Sequence, residues 1–209
     1  MICVRADRHL LKVYFLRLNY SIFYAYNIYV NFNIWVDADS VPVKLRQMIL
    51  KAATRTSARC FFVADRELPD VKAYIAEDTF SLREKARQNG QTDAVEIRRI
   101  RSQISMVVVS SGENSADDYI VEQASSESLC ITHDIPLASR LLEKGCTVID
   151  DRGAEYTQDD IRARLGDRLV NQELRSWGVF SEQQARMGQG VQKAFADNLD
   201  RTITRMTRK

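Results

Sequence analysis

Several things are scarce in these 209 residues: four cysteines, three prolines, eight glycines and two histidines. Cys3, Cys60, Cys130 and Cys146 are scattered, with no CxxC pair. Without such a pair, neither a zinc ribbon nor a disulfide scaffold is indicated. Three of the thiols lie in apolar strand-like runs, where cysteine usually serves as a small buried hydrophobe. Reduced thiols suit the cytoplasm. Net charge is also small, a formal +2, so bulk electrostatics does not mark a nucleic-acid binder. The positive charge is uneven, however. Residues 185–209 carry Arg186, Lys193, Arg201, Arg205, Arg208 and Lys209 against Asp197 and Asp200. Such a stretch can meet phosphates or be a solvated helix face.

One long stretch lacks charge altogether, from Leu18 to Val36. It contains Asn19, Asn27, Asn31 and Asn33 with Tyr20, Tyr24, Tyr26 and Tyr29. Asparagine in hydrocarbon is costly, so a membrane span is not expected. No small-residue cleavage site follows a compact apolar core, so a signal peptide fits poorly. Residues 1–32 are read as an atypical extension that packs loosely, and the regular domain is expected over 33–209.

From Asn33 the pattern is regular. Strands are expected over 33–36, 58–63, 104–109, 129–132 and 146–149, alternating with helices over 43–54, 116–123 and 135–144. That alternation implies a mostly parallel sheet flanked by helices, a three-layer α/β fold. Pro42 and Pro136 suit first helical turns. Ser115 and Asp134 are candidate N-caps, Gly145 a helix stop, and Thr157 with Asp160 a capping box for 158–165. Further helices are expected over 167–177 and 182–206. Residues 66–101 hold eight basic and seven acidic side chains. They read as a charged insertion or mobile loop, with a short helix over 82–88 and a turn at Asn89-Gly90.

The carboxylates stand out against this frame. Asp37 and Asp39 follow the first strand, Asp117 and Asp118 follow the third, and Asp134 follows the fourth. Ligands of open α/β sheets sit beyond the carboxyl ends of the strands. Acids converging there call for a cation. Each has a plainer role beside this one. Asp134 can be an N-cap, and Asp117 and Asp118 suit a first helical turn. Capping explains Asp37 and Asp39 poorly, because neighbouring strand-end carboxylates repel. Arg152 can clamp a phosphate bidentately or pair with Asp150 or Asp151.

These residues resemble a known family. The matching pieces are Ile34-Trp35-Val36-Asp37-Ala38-Asp39 with Pro42, and Ala116-Asp117 with Ile120-Val121. They continue with Ile131-Thr132-His133-Asp134-Ile135-Pro136-Leu137-Ala138, Glu143-Lys144-Gly145, Arg152-Gly153 and Tyr156-Thr157. Together they look like the YaiI/YqxD family of uncharacterised bacterial proteins, which has a PIN-like domain. The resemblance spans roughly residues 33–200, with 66–101 as a gap. It implies a metal-dependent nuclease acting on RNA. Asp37, Asp117 and Asp134 would be its catalytic and metal-holding acids, and Asp39 and Asp118 further metal ligands. Mg²⁺ or Mn²⁺ would be the ion, and Arg152, Ser110 and Thr132 would contact substrate. The chain departs from the family pattern at Val41, Asn114 and Asp151, where members often have Cys, Asp and Pro.

Two other functions compete. A haloacid-dehalogenase-like phosphatase also uses a strand followed by Asp-x-Asp, with Ser110 or Ser111 as its hydroxyl. It lacks the needed cation, since no lysine or arginine lies between Gly112 and Asp134. A non-catalytic domain binding RNA or a protein through the basic C-terminal helix, with a decayed acidic site, is favoured by Asn114.

Overall fold

The structure is a computed structural model that describes residues 32–110, 112, 115–164 and 188–208. Residues 1–31 of the expected extension, Ser111, Asn114, the helix expected over 167–177 and the first six residues of that expected over 182–206 lie outside the described residues.

Five strands form one sheet: β1 (Asn33–Asp37), β2 (Arg59–Ala64), β3 (Ile104–Val108), β4 (Leu129–Ile131) and β5 (Thr147–Ile149). Every pairing is parallel, in the order β3-β2-β1-β4-β5. The chain moves outward from β1 to β3, then crosses back to place β4 on the other side of β1. The order therefore reverses between β1 and β4, and ligand crevices form at such a reversal. The expected α/β, three-layer architecture is present, with the sheet parallel throughout.

Alternation along β1 assigns the two layers. Ile34 and Val36 enter the larger core, whereas Trp35 enters the smaller. The larger core is covered by α1 (Val43–Thr56), α2 (Pro69–Gln88) and α6 (Gln189–Thr207), which contribute Leu45, Ile49, Val71, Phe195, Leu199 and Ile203. The smaller core is covered by α4 (Ser115–Gln123) and α5 (Ile135–Glu143), through Ile120, Leu137 and Leu141. A short α3 (Ala94–Arg99) links α2 to β3.

The charged stretch over 66–101 corrects the loop expectation. Most of it is α2, twenty residues long, with α3 after it. The short helix expected over 82–88 is only the last part of α2. Its apolar positions Val71, Tyr74 and Ile75 recur at helical spacing and meet the larger core. Surrounding charges hid that period. One of those charges is structural: Arg46 of α1 donates from Nε and Nη2 to the two Asp70 oxygens at 2.9 and 3.0 Å. Its Nη1 donates to the Ala38 and Val41 carbonyls. Arg46 thereby ties the end of β1 to the start of α2.

Local signals elsewhere hold. Asp134 caps α5 by accepting the Leu137 N–H at 2.9 Å. Thr157 and Asp160 exchange the two bonds of a capping box ahead of the helical residues 158–164. Ser115 does not cap α4. It is the first helical residue, and its hydroxyl donates to the Ser110 carbonyl. Gly153, at φ +84°, presses the loop after β5 onto α6. A Cβ there would stand 2.6 Å from the Phe195 Cα.

Candidate functional site

Asp37 ends β1 at the strand-order reversal. Its neighbour Val36 pairs with Ile131 of β4, so Asp37 sits level with Thr132. Thr132 is buried and donates its hydroxyl to Asp37 Oδ2 at 2.7 Å. The same oxygen atom of Thr132 accepts the Asp134 N–H at 2.9 Å. One hydroxyl thus connects two of the acids. Ser40 adds a second link, donating to the Asp37 carbonyl and accepting the His133 N–H. Burial raises the Asp37 carboxyl above its usual range; the bonds from Thr132 and Ser40 oppose that, and Asp39 adds to it.

Asp117 enters from the first turn of α4. Its carboxyl is pushed up to about 6. Burial is the largest cause, followed by the charges of Asp37 and Asp134; Arg140 opposes and Asp118 adds. Asp117 therefore lies in electrostatic range of both other acids expected to act with it. Asp134 is partly committed, since its Oδ1 accepts the α5 cap bond.

The remaining expected ligands are engaged elsewhere. Asp39 pairs with Arg66 at 3.2 Å and accepts the Asp65 N–H. Asp118 pairs with Arg140 at 2.7 Å. Ser110 and Arg152 are exposed, on the loops after β3 and β5, at the same edge of the sheet. Thr132 is enclosed, with 1% of its surface exposed, so it holds Asp37 from within rather than facing substrate. Sequence reasoning missed the bridging role of Thr132, and the contacts of Ser40, Arg66 and Arg140. The Thr132-x-Asp134 spacing was the available signal, because a threonine hydroxyl often accepts the N–H two residues on. His133 Nδ1 lies 3.0 Å from Asp151 Oδ1, a pairing with no local sequence signature.

Among the described residues, no three His, Cys, Asp or Glu side chains converge as a ready-made metal cage. The donor chemistry nevertheless suits Mg²⁺ or Mn²⁺. Magnesium is commonly held by one or two carboxylates and keeps several waters. A cation beside Asp37 and Asp117 would relieve the repulsion that raises the Asp117 carboxyl.

Fold and site together define an open-sheet α/β protein with acidic residues at its strand-order reversal. Among the described residues no helix is long and apolar enough to cross a membrane. Residues 92–205 match the family model described as "Uncharacterized BCR, YaiI/YqxD family". The chain belongs to that family. It is 35% identical over 176 residues to a "UPF0178 protein" of Trichlorobacter lovleyi, covering 84% of this chain and 96% of the relative. A "UPF0178 protein" of Psychromonas ingrahamii is 35% identical over 170 residues, covering 81% of this chain and 94% of the relative. No solved structure matches the chain.

Proposed function

We propose that this protein is a metal-dependent nuclease acting on RNA phosphodiesters. One observation carries the reading: Asp117 is raised to about 6 by burial and by the charges of Asp37 and Asp134. Carboxylates crowded at a ligand crevice are costly unless function requires them. Asp37 and Asp117 would hold Mg²⁺ or Mn²⁺. Such an ion supplies Lewis acidity and a more acidic bound water. Thr132 fixes the orientation of Asp37 and favours its charged form. Asp134 contributes negative charge while its cap bond anchors α5. Arg152 and Ser110, on exposed loops at the same edge, would meet phosphate oxygens. The buried free thiols Cys60, Cys130 and Cys146 fit a reducing compartment, and the cytoplasm is the proposed location.

The test is cleavage of single-stranded RNA with Mn²⁺ or Mg²⁺, stopped by chelation. Asp37→Asn should lower the rate by at least about 100-fold, the scale seen when one electrostatic group is removed from an active site. A variant that cleaves like the parent would assign the activity to a contaminant. A second reading, a non-catalytic RNA- or protein-binding domain, is favoured by the absence of a three-ligand cage among the described residues. Binding of RNA without any metal-dependent cleavage would select it.

A further inference from the structure

Two of the helices over the larger core, α1 and α6, carry an excess of positive charge. On α1, Lys44, Lys51 and Arg55 are all exposed, and α1 contains no Asp or Glu. Their spacing of seven and four residues keeps them on one face. On α6, Arg201 and Arg205 form a second stripe that Arg208 continues at the C-cap. The stripes meet where Arg55 donates to both Asp200 oxygens, at 2.6 and 3.3 Å. Arg201, Thr204, Arg205 and Arg208 line a cleft of about 470 Å³ with Asp200.

Most of these cations lack an acid. Asp200 is taken by Arg55, and Glu155 accepts from Arg205. Lys44, Lys51, Arg201 and Arg208 have no carboxylate within ion-pair distance among the described residues. The whole chain is only +2, so this excess is balanced elsewhere. Asp117, Asp118, Glu122 and Glu127 occur in a stretch with no lysine or arginine. Base predominates on α1 and α6 and acid on α4, whereas α2 carries both signs. The basic stripe also starts close in the chain to the acid that ends β1. Only residues 38–42 separate β1 from α1, and Lys44 to Arg55 spans about 16 Å at the rise of an α-helix.

We infer that the α1–α6 surface is a docking track for the sugar-phosphate backbone of RNA, so that the substrate is a polymer rather than a mononucleotide. This rests on the proposed action on RNA. Charge complementarity identifies the occupant: repeated cations along two straight stripes match a repeating phosphate chain. Arginine pairs with phosphate bidentately. The described residues of the two stripes include no aromatic anchor of the kind that dominates protein interfaces.

The experiment is fluorescence anisotropy of the full chain with a labelled 20-nucleotide oligouridylate, in chelator, across a salt series. Cleavage of the same oligomer and of a dinucleotide is measured in parallel with Mn²⁺. Binding by the parent should weaken steeply with salt. The triple variant Lys51→Gln, Arg201→Gln, Arg208→Gln should bind at least tenfold more weakly. Its salt slope should be smaller by about 2, at about 0.7 for each phosphate left without its cation. Its KM for the oligomer should rise while its turnover of the dinucleotide stays with the parent's. Lys44→Gln with Lys51→Gln on α1 alone gives a second readout should the triple variant unfold. Parent-like affinity and slope in these variants would overturn the docking track, as would absent binding by the parent. Equal competition by polyglutamate would overturn RNA as the occupant. Salt-dependent binding without cleavage would sink the nuclease reading and leave the track standing. Cleavage with an unchanged variant KM would do the reverse.

Discussion

On one face of the sheet, α1 and α6 bury Leu45, Ile49, Phe195, Leu199 and Ile203 beneath exposed lysines and arginines. On the other, α4 and α5 bury Ile120, Leu137 and Leu141 beside carboxylates. Among the described residues, the second layer also contains two buried polar atoms without a hydrogen-bond partner there, Trp35 Nε1 and the Tyr156 hydroxyl. Each such atom costs about 1–3 kcal/mol. The comparison teaches a division of labour. The apolar depth of the first layer supports the fold, and the second layer tolerates a buried acid and unpaired polar groups. If so, mutations in the first layer should act on stability, and mutations of the crevice acids should act through charge.

The largest expected effect breaks the first layer. Phe195→Ala removes a fully buried ring of the larger core. The expected loss is about 3–5 kcal/mol. At about 2–4 °C per kcal/mol for a chain of this size, thermal melting should fall by roughly 10 °C. A change of only a degree or two would mean that α6 is not part of the core.

Charge in the second layer gives a smaller effect of opposite sign. Asp117 titrates at about 6 in the folded protein and near 3.9 when unfolded. Between those values the folded state binds more protons, so stability falls as pH rises through that window and then levels off. Asp117→Asn should therefore stabilise the metal-free protein at pH 7 by about 1–2 kcal/mol, allowing for solvent screening of a partly exposed group. It should have no such effect at pH 4 or below. Urea melts at the two pH values check this, and an equal effect at both would reject the crowding of the three acids.

The smallest effect is local. Asp134→Ala removes the α5 cap and should cost about 1 kcal/mol. Asp134→Ser or Asp134→Asn should restore most of that stability without restoring the charge felt by Asp117. Denaturant midpoints of the three variants separate capping from electrostatics.

These differences also explain what could be read in the chain beforehand. The α5 cap, the capping box at Thr157 and the strand-helix alternation were legible because their signals lie within a few residues. α2 was hidden because its apolar period, Val71, Tyr74 and Ile75, is narrow and surrounded by charge. Its anchor, Asp70, is paired by Arg46 from 24 positions away. Within the site, the placement of Asp37, Asp117 and Asp134 at one edge followed from strand ends. The partners that occupy Asp39 and Asp118 did not, because Arg66 and Arg140 reach them only in the folded chain. Thr132 was expected to contact substrate and not to link two acids, since its bond to Asp37 spans 95 positions.

The central claim is that the crevice acids exist to hold a divalent cation. Mn²⁺ titration of the full chain, read by electron paramagnetic resonance at pH 7, tests it most directly. The account predicts one saturable ion per chain in the parent, weakened as pH falls through about 6 where Asp117 protonates. It predicts loss of that ion in Asp37→Asn, with an unchanged fold by circular dichroism. No saturable Mn²⁺ in the parent, or equal binding in Asp37→Asn, would contradict it.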